Sequence, residues 1–490
     1  MKTRHWILGA VGLVLVLLAI WQIMAAAQGL EIIPLRTTTP PLTIVRPAGA
    51  TPDSRPLVLI GHGFAGSTVI MRGFAFTLAH AGYDVVLWDF DGHGTNPQPS
   101  PSDRQGSLNA NAEAALAEAL RRGVGDPHRV AILGHSMGSG VALAFGQEHP
   151  ETAATIAVSP VDRPVTPELP RNLLLMAGSL ESPFVRNAER RLAEAGGAGG
   201  DAAAGTAREL LVVPGVEHIS ILFSPTAHGA TRDWLDGTFG PQPGAQVYTD
   251  RRVRWYGLGL VGVLLLSAAL AALIGKRSPD RAADRPLCWR LAALVGGALG
   301  ASLLLWGASK AANFGLRNLL GLLVGGYIMI WFGVAGLLSL LLLWRRPSPL
   351  AGRTLLGAVT AFTALWLGVG LLGQPVWLPW LLIPRRLLLW PLGVLLLLPW
   401  FLAVGEAARG AGRAGRAGWW LAHTALPVGG FFLALTLSPE LGFIMLIMPL
   451  FPIILGLHAL AVGPYRGSWA YALSGALFTS WLFLAVFPLQ

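Results

Sequence analysis

The chain has 490 residues, enough for two or three domains, of which 53% are hydrophobic and only 13% charged. A mean hydropathy of +0.56 excludes a wholly water-soluble globular protein and fits one that is about half membrane-embedded. The formal charge of +10 does not point to nucleic acid, because the arginines cluster between apolar runs, and the single cysteine, Cys288, excludes an intramolecular disulfide or a Cys-rich metal site.

Trp6 to Ala27 is apolar except for Gln22, with Lys2 and Arg4 in front of it. Ala25-Ala26-Ala27 resembles a signal-peptide cleavage site, but the run is longer than a usual signal core and can span a bilayer. The preferred reading is an uncleaved anchor over residues 1–28. A domain over 29–250 follows, carrying most of the acids and alternating short strands with helices, and then an apolar region over 251–490.

Within the middle domain, Leu57-Val58-Leu59-Ile60 reads as a buried strand and runs into Gly61-His62-Gly63-Phe64-Ala65-Gly66. A second strand, Tyr83 to Trp88, ends in Asp89-Phe90-Asp91-Gly92-His93-Gly94. The run Arg129 to Leu133 leads into Gly134-His135-Ser136-Met137-Gly138 and a helix-like stretch to Glu148. That strand-turn-helix context gives a G-x-S-x-G pentapeptide its meaning. The chain must turn sharply at the serine, a Cβ two positions either side would collide with neighbouring backbone, and the hydroxyl is pushed above the sheet edge. Thr155 to Val158 is the next strand, followed by Asp162 and a short Pro-rich loop. Asn172 to Ala177 is a strand ending in Gly178-Ser179-Leu180-Glu181, and Glu209 to Val213 is a last strand ending in Pro214-Gly215-Val216-Glu217-His218.

Together these segments resemble the α/β-hydrolase superfamily, in the branch of lipases and esterases with His-Gly and Gly-His-Ser-Met-Gly signatures; the resemblance covers roughly residues 40 to 240. It implies a mostly parallel sheet flanked by helices, and an order of nucleophile, acid and base met here by Ser136, Glu181 and His218. His218 takes the Ser136 proton, and Glu181 holds the imidazole in the right tautomer. The family more often uses Asp, so Asp162, one strand earlier, is the alternative acid. The backbone N–H groups of Phe64 and Met137 are the expected oxyanion donors. Of the other histidines, His62, His93 and His135 lie in tight Gly turns, where a structural hydrogen bond is the expected role. Gly138-Ser139 stands where the family frequently has Gly-Gly. The loop between Val158 and Asn172 is too short for the usual helical lid, so the active site is expected to be open. No cofactor and no metal is called for.

Eight apolar segments follow, near 255–275, 288–308, 318–344, 354–373, 386–404, 418–437, 441–463 and 468–488, each about long enough to cross a bilayer. Alternating them puts Lys276, Arg277, Arg281, Arg285, Arg345, Arg346, Arg353, Arg409, Arg413, Arg416 and Arg466 in cytoplasmic loops, against Lys310, Arg317, Arg385 and Arg386 outside. The asymmetry puts the N-terminus inside and the middle domain outside the cytoplasmic membrane; Arg251, Arg252 and Arg254, on the outer side, run against it. Gly296-Gly297-Ala298-Leu299-Gly300-Ala301 allows close helix packing. His423, His458, Glu406 and Glu440 are the ionisable groups in or beside the spans, and no acidic relay links them into a transport path. The expected whole is a membrane-embedded serine hydrolase acting on apolar or amphiphilic carboxylic esters, in contact with membrane lipids. The rivals are an acyltransferase using the same acyl-enzyme, a transporter or scaffold with a hydrolase-like sensor domain, and a peptidase, disfavoured because no propeller or cap domain precedes the fold.

Overall fold

Side-chain alternation along the strands organises the N-terminal half. In the computed structural model, which describes every residue except 1, 50, 52–53, 102–103, 275–284, 345–349 and 466, eight strands form one sheet. They are β1 (Leu30–Leu35), β2 (Leu42–Pro47), β3 (Pro56–Gly61), β4 (Asp84–Trp88), β5 (Asp126–His135), β6 (Ala154–Val158), β7 (Leu173–Gly178) and β8 (Arg208–Val213), in spatial order β1-β2-β4-β3-β5-β6-β7-β8. All pairings from β4 to β8 are parallel, while β2 runs antiparallel to both β1 and β4. The expected strands are all present. The β1–β2 ribbon is an addition that the chain's short mixed runs there did not signal.

Residues i and i+2 of a strand share a face, and the core divides accordingly. Val58 and Ile60 of β3 pack with helices α2 (Arg72–His80) and α6 (Pro225–Phe239), whereas Leu57 and Leu59 pack against α3 (Arg104–Arg121) and α4 (Met137–Glu148). Helix α5 (Ser182–Glu194) covers β6 and β7 on the α4 side through Ala188. This is the three-layer α/β-hydrolase fold, with both faces of a mostly parallel sheet buried.

Helix α1 (Lys2–Ala25) precedes the sheet, and α7 (Arg252–Leu273) follows it, packing along α1. Their backbones touch where a Cβ on Gly12 would come within 2.8 Å of the Gly262 carbonyl and one on Gly262 within 2.7 Å of the Gly12 carbonyl. Then come α8 (Leu287–Ala312), a two-residue-strand hairpin β9–β10 (Asn318–Leu319, Leu322–Leu323), α9 (Gly325–Leu343), α10 (Gly352–Leu365), α11 (Pro384–Ala407), α12 (Arg413–Leu437), a short α13 (Ile444–Ile447), α14 (Phe451–Val462) and α15 (Ser468–Val486). Among the described residues nine helical segments, α1 and eight after the sheet, are long and apolar enough to cross a membrane. Such a set indicates a multi-pass membrane protein. The Gly297 region packs as its composition suggested: a Cβ there would lie 2.5 Å from the Ala335 carbonyl of α9. The segment expected over 318–344 starts as a helix only at Gly325, and that over 441–463 is broken into short helical pieces around Pro449. Lys276, Arg277, Arg281, Arg345, Arg346 and Arg466 lie outside the described residues.

Two arginines differ from the loop positions expected of them. Arg386 lies within α11, fully buried, and donates to the carbonyls of Leu484, of Phe487 at 2.7 Å and of Gly92, in the β4–α3 loop, at 2.6 Å. Arg252 makes a buried pair with Asp250 at 2.6 Å and donates to the Pro375 carbonyl at 2.8 Å, so its charge is compensated locally. The chain end is held the same way, Ser100 N–H donating to Leu489 O at 3.0 Å and Leu489 N–H to Gly92 O at 2.8 Å. The sheet domain and the helices are therefore joined through buried backbone groups as well as by the chain.

Candidate active site

The elbow follows from its glycines. Ser136, between β5 and α4, has φ 51° and ψ −116°, a conformation costly for a residue with a Cβ. A Cβ on Gly134 would lie 1.9 Å from the Gly138 carbonyl, and one on Gly138 would lie 2.6 Å from that of Gly61. Both positions therefore require glycine. Ser139, the departure from Gly-Gly, has a use: its hydroxyl donates to Ser136 O at 2.5 Å and accepts from Val161 N–H at 3.0 Å, bracing the strained turn.

His218 reaches Ser136 from the loop after β8, its Nε2 lying 3.0 Å from Ser136 Oγ and its Nδ1 2.7 Å from Glu181 Oε2. With a carboxylate at Nδ1, that nitrogen carries the proton and Nε2 is the acceptor, the tautomer a general base needs. Glu217 caps the following turn, accepting from Ile219 N–H at 2.9 Å and Ser220 N–H at 2.7 Å. Phe184 of α5 stacks on the imidazole with ring centroids 4.3 Å apart. The Glu181 side chain curls back to the end of β7, where Oε1 accepts from Gly178 N–H at 2.6 Å and Ser159 Oγ–H at 2.7 Å. Those two donors fix the longer side chain. Ser159, itself at φ 48°, gave no sequence signal beyond its place after β6. Asp162 is elsewhere: its carboxylate is 69% exposed and pairs with Arg191 at 3.3 Å.

The remaining histidines of the site are hydrogen-bonded supports. His62 Nδ1 donates to Gly63 O at 2.8 Å, and its Nε2 accepts from Phe90 N–H at 3.2 Å. His135 Nε2 donates to the His218 carbonyl at 2.9 Å. Burial lowers the pKa of both, and the neighbouring His218 adds to the effect at His135, so they remain neutral beside the reacting groups. His93 Nδ1 donates to Asp91 O at 2.9 Å. Phe64 and Met137 flank Ser136 from two sides. Met137 opens α4, and the Gly63 backbone is close enough that a Cβ there would lie 3.2 Å from Ser136 Cβ.

The cleft is not open. The β6–β7 loop holds no helix, as expected, but the C-terminal helices take the place of a lid. A cavity of about 290 Å³ lies over Ser136 and His218, with Tyr256 and Leu260 of α7, Phe451 and Leu457 of α14, and Phe478 and Phe483 of α15 in its wall. Phe64 stacks on Phe443, in the broken segment, at 4.2 Å. Short-range pattern in the sequence could not show this, because the wall comes from segments separated by more than a hundred residues from the elbow. Among the described residues no His, Cys, Asp and Glu group is arranged to hold a metal.

The family described as Serine aminopeptidase, S33, matches residues 52–194, which include Ser136 and Glu181. The domain is an α/β-hydrolase of the serine type. The chain is 27% identical over 256 residues to "Putative esterase NocK" of Nocardia uniformis subsp. tsuyamanensis, covering 42% of this chain and 73% of that one. It is 29% identical over 137 residues to a thermostable monoacylglycerol lipase of a Bacillus species, covering 26% of this chain and 53% of the lipase. An uncharacterized protein of Mycobacterium tuberculosis is 34% identical over 103 residues, 21% of this chain and 36% of that protein. The chain thus spans only about a third to a half of the length of the last two. Among solved structures, a soluble variant of monoglyceride lipase from Saccharomyces cerevisiae is 16% identical, with 43% of this chain and 96% of that one covered at a TM-score of 0.32. Relatives named as esterase and lipase support ester hydrolysis as the general chemistry of the hydrolase domain.

Proposed function

We propose that the protein is a membrane-embedded serine hydrolase that cleaves carboxylic esters through an acyl-Ser136 intermediate. In this reading residues 1–28 are an anchor, 29–250 the hydrolase domain outside the cytoplasmic membrane, and 251–490 the bundle that holds it. The observation that carries it is the hydrogen-bonded chain from Ser136 through His218 to Glu181 beneath an apolar cavity walled by the C-terminal helices.

Ser136 Oγ attacks the ester carbonyl while its proton passes to His218 Nε2, and Glu181 stabilises the resulting imidazolium through Nδ1–H. The carbonyl oxygen becomes an oxyanion received by the Phe64 and Met137 N–H groups, at the positive end of α4 in the case of Met137. Collapse expels the alcohol, which takes the proton from His218. Water then repeats the sequence on the acyl-enzyme, giving the carboxylic acid and free Ser136, so that one ester and one water yield one acid and one alcohol. An alcohol in place of that water would make the protein an acyltransferase.

The test is fluorophosphonate labelling and a chain-length panel of esters on the purified full chain. Ser136→Ala should abolish both, with expression and membrane insertion unchanged; loss of a triad nucleophile costs on the order of a millionfold in rate. Normal labelling of that variant removes the assignment.

A further inference from the structure

We propose that the substrate is a long-chain ester resident in the bilayer, and that its acyl chain enters the cavity sideways from the hydrocarbon and lies against the C-terminal helices. This rests on the serine-hydrolase reading above and adds a substrate class and a route to it.

The wall chemistry comes first. The side chains with polar atoms along the cavity are Ser67, His135, Ser136, His218, Tyr256 and Trp377; every other lining residue is apolar or glycine. No Lys, Arg, Asp or Glu lines it, so an ionised group brought inside would find no compensating charge, a heavy desolvation cost. The size is that of one chain. At about 290 Å³ the cavity is at the lower end for ligand sites. A methylene is about the size of a liquid water, ~30 Å³, which gives room for on the order of ten carbons.

The depth comes next. The wall runs from Val253 to Leu260 on α7 and from Phe451 to Leu457 on α14. At ~1.5 Å per residue this carries the cavity roughly 9–10 Å along two helices that qualify as spans, away from the sheet domain. The Ser136 hydroxyl is at the other end, so an acyl chain lying along the cavity presents its carbonyl to the serine at the domain boundary.

The route comes from Ile453. It lines the cavity, yet it is 60% exposed. Seven residues on, Leu460 occupies the same face of α14 and is 64% exposed. In a spanning helix such an outward apolar face is solvated by lipid. The cavity rim and the lipid-facing stripe therefore share a residue, and Leu457 and Leu260, both half-buried, continue the apolar surface inward. A chain passing there stays in apolar surroundings, which a path through water does not offer.

The probe is an alkyl fluorophosphonate of about ten carbons with a diazirine at its chain end, incorporated in phosphatidylcholine vesicles holding the full-length protein. Ser136 displaces fluoride and becomes phosphonylated; light then cross-links the chain end. The expected result is capture at Ser136 with photo-adducts in peptides of α7, α14 or α15. Capture at Ser136 with adducts confined to residues 29–250 overturns this inference and leaves the hydrolase reading standing. Absence of capture at Ser136 sinks the hydrolase reading, and this one with it. As an independent readout, Ile453→Trp, at an exposed position able to take the larger ring, should lower the ratio of kcat/KM for a decanoyl over an acetyl ester at least tenfold. An unchanged ratio refutes entry past α14.

Discussion

Glu181→Gln puts the acid assignment to its hardest test, because the hydrogen bonds around the carboxylate dictate which way the amide must face. Oε1 accepts from two donors, Gly178 N–H at 2.6 Å and Ser159 Oγ–H at 2.7 Å. The glutamine oxygen therefore takes that side, and the NH2 group faces His218 Nδ1, which in the native protein lies 2.7 Å from Oε2. Nδ1 must then accept, the ring proton moves to Nε2, and Nε2 can no longer take the Ser136 proton. The opposite amide orientation sets NH2 against the buried Gly178 N–H and leaves that donor unsatisfied, at about 1–3 kcal/mol. The unproductive tautomer prevails. The expected loss is about ten-thousandfold in acylation rate, as for a triad acid changed to its amide, or roughly 5.5 kcal/mol of barrier. Since both donors keep an acceptor, the melting temperature should move by no more than a few degrees. The exposed Asp162, paired with Arg191, predicts less than about a twofold effect for Asp162→Asn, by the weakness of surface ion pairs. The assay is stopped-flow acylation by a p-nitrophenyl ester for both variants. If Glu181→Gln retains more than about a tenth of the wild-type rate, or Asp162→Asn is the more damaging, the tautomer argument is wrong.

Three further outcomes follow from the same contacts. His62, His135 and His228 of α6, whose Nε2 donates to Leu222 O at 2.9 Å, are held neutral by burial, their pKa values below the unfolded value of about 6.5, so stability is full above that pH and falls as pH drops below it, by up to about 1.4 kcal/mol per pH unit for each. Melting in detergent should show this acid slope, and His62→Gln should flatten it; a slope rising toward acid refutes the sign. Arg386→Met leaves the carbonyls of Gly92, Leu484 and Phe487 buried without their donor, and should cost about 1–3 kcal/mol for each one left unsatisfied and open the β4–α3 loop to limited proteolysis. Protease added to intact spheroplasts should release a fragment of residues 29–250; protection until lysis reverses the orientation.

Much of the hydrolase domain is legible in sequence because its determinants are local. The buried strands are short apolar runs, and the elbow declares itself in five residues whose glycines are imposed by backbone clashes within 3 Å. The order of Ser136, Glu181 and His218 along the chain brings their loops to one edge of a parallel sheet, since every strand from β3 to β8 points the same way. The apolar segments after residue 250 are equally plain, because spanning a bilayer is a matter of length and composition. What tertiary structure decided lies between those units. Ser159 reaches Glu181 only once β6 and β7 are paired, and Arg386, counted as a loop charge, is drawn inside by three carbonyls from distant segments. The short β6–β7 loop suggested an uncovered cleft, yet helices α7, α14 and α15 close over it. A helix's apolar face specifies burial without naming its partner, so no pattern in the chain could say that this face meets Ser136 rather than lipid.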